Sequence, residues 1–227
     1  LYDIIKNPTE LKELHVEWIM SHLACGDQPR DIMNEKQLSV FLNAKKEFPN
    51  VKASLANSAG VFLGQSYHLD MVRPGIALYG SGSGSIPSKP LKQVIKLYSR
   101  ILQIRTLSTG ASVGYGASYR VSEATRVATV GLGYADGYLR SLSNCSWVFF
   151  NGLRLPVIGR ISMDYITIDI TQIASEKIKT GDFIEIIGDK FTLDDLATVA
   201  NTVPHELLTR LGTRHHRIYR NTNNISK

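Results

Sequence analysis

Four stretches of the sequence put polar or flexible residues where a plain core strand would want apolar ones. Ser21-His22 falls inside the strand-like run Trp18-Ile19-Met20-Ser21-His22-Leu23, at or near its C-terminal end, the place where α/β barrels hold their active sites. A core histidine satisfied by its neighbours is the alternative. Leu55-Ala56-Asn57-Ser58-Ala59-Gly60 leads from a strand-like run into small polar residues at a helix start. Backbone N–H groups and the Ser58 hydroxyl can hold a phosphate there, and an ordinary N-cap explains Ser58 equally well. Within Met71-Val72-Arg73-Pro74-Gly75-Ile76-Ala77-Leu78-Tyr79-Gly80, a guanidinium in an apolar strand is costly unless paired. Gly75 removes a side chain where something must approach the backbone closely. A ligand contact and an ion pair with a distant acid both answer this pattern. Last come three glycine-punctuated segments, Val113-Gly114-Tyr115-Gly116-Ala117-Ser118-Tyr119, Gly131-Leu132-Gly133-Tyr134-Ala135-Asp136-Gly137-Tyr138 and Gly159-Arg160-Ile161-Ser162-Met163-Asp164. Tyrosines flanked by glycine sit on bent, exposed backbone, so their phenols can face a ligand; a single such triplet can equally be a turn.

The elements that must position these residues change character along the chain. The first third alternates strand and helix signals, the texture of a parallel α/β sheet or barrel. Residues 16–24 read as a buried strand and residues 31–48 as a helix with Leu38, Phe41 and Leu42 at helical spacing. Residues 51–56 read as the next strand, 58–64 as a short helix and 71–79 as a further strand. Gly80-Ser81-Gly82-Ser83-Gly84-Ser85-Ile86-Pro87 has linker composition, which predicts a boundary between an α/β domain over 1–88 and a mostly-β domain over 89–227. Strand-like runs rich in β-branched and aromatic residues follow at 94–107, 118–121, 126–132, 147–150, 165–170 and 183–187. A single helix is predicted to interrupt them, capped by Thr192 with Asp195 three positions on and carrying Leu193, Leu196, Val199 and Ala200 as its apolar stripe.

The 227 residues, 43% hydrophobic and 20% charged, suffice for a sizeable core. No apolar run approaches the roughly 20 residues of a bilayer span, so no membrane association is expected. Cys25 and Cys145, far apart and outside any C-x-x-C spacing, read as two small core residues in a reducing cytoplasm and exclude a disulfide scaffold or zinc ribbon; no metal site is expected. The net charge of +6 is compatible with an anionic partner. Its one dense cluster, Arg210, Arg214, His215, His216, Arg217 and Arg220, reads as a solvated or interface strand. Aromatic interleaving is limited to Tyr219, against nucleic-acid binding. The opening Leu1-Tyr2-Asp3-Ile4-Ile5-Lys6 has neither an initiating Met nor a leader pattern, and reads as the interior of a longer chain.

The order of Ser21-His22-Leu23-Ala24, Ala56-Asn57-Ser58-Ala59, Met71 to Gly80, Tyr115-Gly116-Ala117-Ser118-Tyr119, Gly133-Tyr134-Ala135-Asp136-Gly137 and Gly159-Arg160-Ile161-Ser162-Met163-Asp164 resembles the alanine racemases over essentially the whole chain. The resemblance implies an α/β plus mostly-β fold: the second half of a TIM-type (β/α)8 barrel, then a β domain that serves the partner subunit's site in a homodimer. It implies pyridoxal 5'-phosphate as cofactor, alanine as substrate, and D-alanine for peptidoglycan as product. Arg73 is then the guanidinium facing the pyridine nitrogen, a cation that opposes protonation there and weakens the ring as an electron sink. Ser58 and the amides of Gly75 and Ile76 form the phosphate cradle, with Asn57 in the same loop. His22 stands beside the cofactor and links Arg73 by hydrogen bonds to the catalytic phenol, Tyr115. A free phenol ionises near pH 10, so it needs such cationic neighbours to exchange protons at neutral pH. Tyr134 and the Met163 N–H hold the substrate at the entrance and at its carboxylate, and Asp164 supports the loop.

Departures accompany the match. Ser162 stands where some relatives have cysteine, Gly114 where many have serine, and Thr213 where some place a tyrosine that reaches the phosphate. The lysine that binds the cofactor covalently lies far upstream in the family, and no lysine from Lys6 to Lys227 has its context; the 227 residues alone are expected to be inactive. A decarboxylase of the same fold type is disfavoured by Tyr115, Tyr134 and Met163-Asp164, and a non-catalytic cofactor carrier by the β domain.

Overall fold

The computed structural model describes residues 11, 13–82 and 91–220. The predicted boundary at 88/89 and most of the linker-like stretch, like the first residues of the chain, lie outside them. The chain divides into two compact units, Leu1–Val94 and Ile95–Lys227.

In the first unit, strands β1 (Trp18–Met20) and β2 (Lys52–Ser54) pair in parallel through helix α1 (Ile32–Lys45). Asp31 caps that helix by accepting from Met33 N–H at 2.8 Å, which fixes its start one residue inside the predicted bound. Leu23, Phe41, Ala53, Leu55, Ala56 and Tyr67 form the core, with Leu38 packed against it. Leu42, predicted on the same stripe, is 40% exposed. Both strands are shorter than predicted, and just beyond them Ser21 N–H donates to Ser54 O at 3.1 Å. The expected strand over 71–79 does not form. Met71 makes one parallel bridge to Ser54, Pro74 has no N–H to continue a ladder, and Ile76–Tyr79 winds into a 3-10 turn ended by Gly80 at φ 78°. Likewise 58–64 holds only a 3-10 turn at Gly60–Phe62.

The second unit is a closed antiparallel barrel of six strands: β3 (Leu97–Leu107), β6 (Thr125–Val130), β9 (Ile166–Asp169), β8 (Leu153–Ile158), β7 (Trp147–Phe150) and β10 (Phe183–Ile187) in spatial order, numbered along the chain. Strands β4 (Ser112–Val113) and β5 (Tyr119–Arg120) form a separate hairpin. Closure leaves no long unpaired edge, and Val130, Val148, Leu155, Ile168, Ile184 and Ile186 fill the unit at no more than 1% exposure. Strand β8 was not anticipated: Leu153 and Arg154 are exposed side by side and Pro156 interrupts the apolar run, which obscures its pattern. Helix α2 (Leu193–Val199) starts as predicted, with Asp195 N–H donating to Thr192 Oγ1 at 3.1 Å and Thr192 N–H to Asp195 Oδ2 at 2.8 Å. A second helix, α3 (Pro204–Arg210), corrects the expectation of one; Pro204 at its first turn is the overlooked signal.

Tyr138 is buried here, its phenol donating to Ser146 Oγ at 2.9 Å, and burial pushes its pKa well above the ordinary value. The folded state therefore holds the neutral phenol after the unfolded one has ionised. Its contribution to stability is full below about pH 10 and is lost as pH rises further. Tyr138→Phe is expected to cost about 1 kcal/mol at neutral pH and to flatten the alkaline fall in stability. Urea titrations of both proteins across that range check this; parallel curves would refute it.

Candidate active site

In the first unit the polar residues converge where β1 and β2 end. Asn57 is oriented without ambiguity: its Oδ1 accepts from Gly60 N–H at 2.9 Å, and its Nδ2 donates to Leu23 O at 3.2 Å. The same Nδ2 lies 3.0 Å from His22 Nε2. An amide nitrogen only donates, so Nε2 must accept and the ring carries its proton on Nδ1. His22 is exposed rather than the core histidine of the alternative reading. The site is tight behind it. A Cβ on Gly60 would stand 2.7 Å from Leu23 Cδ1, and one on Gly26 3.1 Å from Asn57 Oδ1.

Arg73 is held by neutral groups alone. Its Nη1 donates to Ser54 Oγ and its Nη2 to Ser21 O at 2.6 Å, while Ser54 Oγ, fully buried, donates to Met71 O at 2.7 Å. Among the described residues no carboxylate pairs with it, so the half-buried guanidinium has only neutral partners there. No hydrogen bond joins Arg73 to His22 among the described residues; Asn57 anchors His22, and Ser54 and the Ser21 carbonyl anchor Arg73.

Ser58 is not an N-cap. The 3-10 turn that follows has Ala59 in that position, without a side-chain cap. Ser58 Oγ instead accepts from Gly75 N–H at 2.7 Å and Ala77 N–H at 3.3 Å. A Cβ on Gly75 would find nothing nearer than Ser58 Oγ at 4.0 Å, so the glycine keeps an open space in front of the hydroxyl. The Ile76 N–H, at the start of its turn, donates to no protein group among the described residues.

The second unit displays its aromatic and sulfur side chains on three loops. Tyr115, 72% exposed, is set between Gly114 at φ 78° and Gly116 at φ 70°. That turn lies on the segment around Arg160, since a Cβ on Gly114 would come within 2.3 Å of Arg160 N. Tyr134 and Met163 are 43% and 53% exposed on adjoining loops, joined by Tyr134 N–H to Ser162 O at 3.1 Å and Ala135 N–H to Met163 O at 3.0 Å. The Met163 N–H finds no protein acceptor among the described residues.

The basic cluster forms no strand. Arg210 pairs with Glu206 along α3, Arg214 with Asp136 and Asp164, and Arg217 donates to the carbonyls of Leu211 and Gly212. Asn144, in the left-handed region at φ 62°, joins two site segments by accepting from Gly159 N–H and donating to Ser118 O. Neither Asn144 nor the Arg214 pairing was foreseen. Their partners are remote in sequence, and only the tolerance of Asn for left-handed backbone hinted at the former. Cys145 is exposed and Cys25 only partly buried, which corrects the reading of both as core residues; Ser146, next in the chain, takes the buried position.

Two family descriptions match the chain, "Alanine racemase, N-terminal domain" over residues 1–83 and "Alanine racemase, C-terminal domain" over residues 94–219. A catabolic alanine racemase of Agrobacterium fabrum is 43% identical over 92% of the chain. The chain belongs to the alanine racemase family. An alanine racemase of Rhodospirillum rubrum is 41% identical over 95% of the chain. The crystal structure of alanine racemase from Bartonella henselae with covalently bound pyridoxal phosphate superposes with a TM-score of 0.90 at 44% identity, over 96% of this chain and 60% of that one. The chain spans 54% of the Agrobacterium protein and 58% of the Rhodospirillum protein. Alanine racemases thus share its plan of an N-terminal α/β part and a C-terminal β domain. Among the described residues no helix is long and apolar enough to cross a membrane, and no cluster of three metal-ligating side chains occurs.

Proposed function

We propose that the full-length protein interconverts L- and D-alanine with pyridoxal 5'-phosphate, and that this chain supplies its cofactor clamp and one of its two bases. Arg73 carries the reading. A half-buried guanidinium held only by neutral partners suits a pyridine nitrogen that is to stay unprotonated, and the Bartonella relative holds this cofactor. The space left open where a Gly75 side chain would stand, 4.0 Å from Ser58 Oγ, with the Ile76 N–H that donates to no protein group among the described residues, fits a phosphate. When bound, the cofactor supplies the electron sink that acidifies the Cα–H of alanine.

The chain's own residues then have distinct tasks. Ser58, Gly75 and Ile76 hold the phosphate, and Arg73 faces the ring nitrogen. Asn57 fixes the His22 ring beside it. Tyr115 removes or returns a proton at one face of alanine Cα, the Met163 N–H takes the carboxylate, and Tyr134 narrows the approach. Racemisation needs an acid–base group on each face. The second group and the lysine that binds the cofactor covalently lie, on this reading, in the part of the relatives' length this chain does not span. The first unit is the second half of a (β/α)8 barrel, and in a cytoplasmic homodimer the β domain serves the partner subunit's barrel.

Chiral chromatography of alanine incubated with the full-length holoenzyme tests this. Both enantiomers are expected to reach the same mixture without loss of CO2; decarboxylation, or action only on another amino acid, would sink the assignment. The product serves peptidoglycan synthesis, so deletion of the gene should make growth depend on added D-alanine. The catabolic designation of the Agrobacterium relative favours a second use, consumption of D-alanine, in which case deletion would abolish growth on alanine as carbon source instead. Ser58→Ala is expected to weaken cofactor binding by roughly 10–100-fold, the loss of one hydrogen bond to a charged group, in absorbance titrations. Unchanged affinity would remove Ser58 from the cradle.

A further inference from the structure

We propose that Arg214, assisted by His215, is a positioning residue for the substrate carboxylate: it locks together the two loops that carry Tyr134 and the Met163 N–H, and masks two carboxylates that would repel the substrate. The inference rests on the racemase reading above. Arg214 Nε lies 3.3 Å from Asp136 Oδ1, and its Nη2 donates to Asp164 Oδ1 at 2.7 Å. Asp136 closes the 3-10 turn that begins at Tyr134, and Asp164 directly follows Met163. One guanidinium therefore spans both loops from a third segment of the chain.

The bonds around this bridge leave the loops little freedom. The second oxygen of Asp136 accepts from Gly133 N–H at 2.9 Å. His215 Nε2 lies 2.6 Å from Asp136 O; a carbonyl only accepts, so the ring donates. Gly133 lets the loops close, since a Cβ there would stand 2.2 Å from Met163 O. On the far side a Cβ on Gly137 would meet Arg210 O at 2.7 Å, so the segment bearing Arg214 is packed against the Tyr134 loop. The Asp136 side chain is only 12% exposed, and a carboxylate so withdrawn from water needs a cation.

The electrostatic part follows from the position of Asp164. A carboxylate adjacent to an N–H that must receive another carboxylate opposes binding unless it is neutralised, and the planar fork of an arginine can serve two acids in fixed directions where an ammonium cannot. Neither acid nor Arg214 has a part in the proton transfer on this reading. Losing the clamp should thus show in KM more than in kcat.

The test uses the full-length holoenzyme. Arg214→Met is expected to raise the KM for alanine, and the inhibition constant of propionate, which keeps the carboxylate but lacks the amine, by about tenfold, the scale of a lost charge interaction, with kcat and cofactor absorbance changed far less. Arg214→Lys, which keeps the charge, should give an intermediate rise. Adding Asp164→Asn to Arg214→Met should lower KM again by removing the unmasked charge, and raised salt should do the same in part. A merely structural role would instead lower kcat, cofactor occupancy and melting temperature together, with additive double-variant effects; that result, or wild-type KM and propionate inhibition in Arg214→Met, overturns the proposal while wild-type racemisation still upholds the reading beneath it. A wild-type holoenzyme inert towards alanine sinks both.

Discussion

Tyr115→Phe in the full-length holoenzyme is expected to abolish interconversion of the alanine enantiomers, lowering kcat by roughly 100- to 10,000-fold, the range of a lost general acid–base group, while the cofactor absorbance persists. The substitution removes one oxygen and no packing, because the ring is 72% exposed on its own turn. Its backbone is set by Gly114 and Gly116 rather than by the phenol, so the turn should survive. Cofactor binding should also survive, since the residues assigned to it lie in the first unit. Circular dichroism at the cofactor band, alongside chiral chromatography, separates loss of the base from loss of the site. Near wild-type rates in both directions would show that another group transfers the proton.

Gly133→Ala should be the next most damaging change, although it adds a single methyl. The backbone there is extended, φ −146°, so alanine meets no conformational penalty. The obstacle is steric: the new Cβ would lie 2.2 Å from Met163 O, 2.3 Å from its carbonyl carbon and 2.5 Å from Asp164 N. All three are backbone atoms, which cannot swing aside as a flexible side chain would. The loops must separate, at about 1–3 kcal/mol of stability for overpacking. Displacing Tyr134 from the Met163 N–H by about 1 Å is expected to lower kcat/KM by roughly 10- to 100-fold. Gly212→Ala, where an added Cβ meets nothing within 4 Å, serves as the control and should be close to neutral. Equal melting temperatures and kinetics for the two variants would contradict the close apposition of these loops.

Some of this was legible in the sequence because it is encoded locally. Thr192 and Asp195 announce the capping box of α2 three residues apart, and Asp31 the start of α1. The glycines around Tyr115 announce an exposed tyrosine through the backbone they require. The stretch from Met71 to Gly80 misled, because an apolar run reads alike as strand or turn and the decisive residue is Pro74, which ends the ladder after one bridge. The partners of Arg73 were beyond reach for another reason. A half-buried arginine advertises a need for acceptors, but only the fold shows that Ser54 and the Ser21 carbonyl meet it. Arg214, read as part of a basic patch, finds its acids on two other loops, a pairing that spacing along the chain cannot reveal. Asn57 lay between these extremes: its loop was marked as polar, while its hold on the His22 ring required the geometry of Gly60 and Leu23.

The measurement that bears most directly on the account is solvent exchange of the alanine α-hydrogen in deuterium oxide by the full-length Tyr115→Phe holoenzyme, followed separately from each enantiomer by NMR. If Tyr115 is one of two bases, each confined to one face, the variant should still exchange the α-hydrogen of one enantiomer, without inverting it, and should fail to exchange that of the other. Exchange from both enantiomers at wild-type rates, or continued inversion, would contradict the assignment of Tyr115 as the base on its face of the substrate.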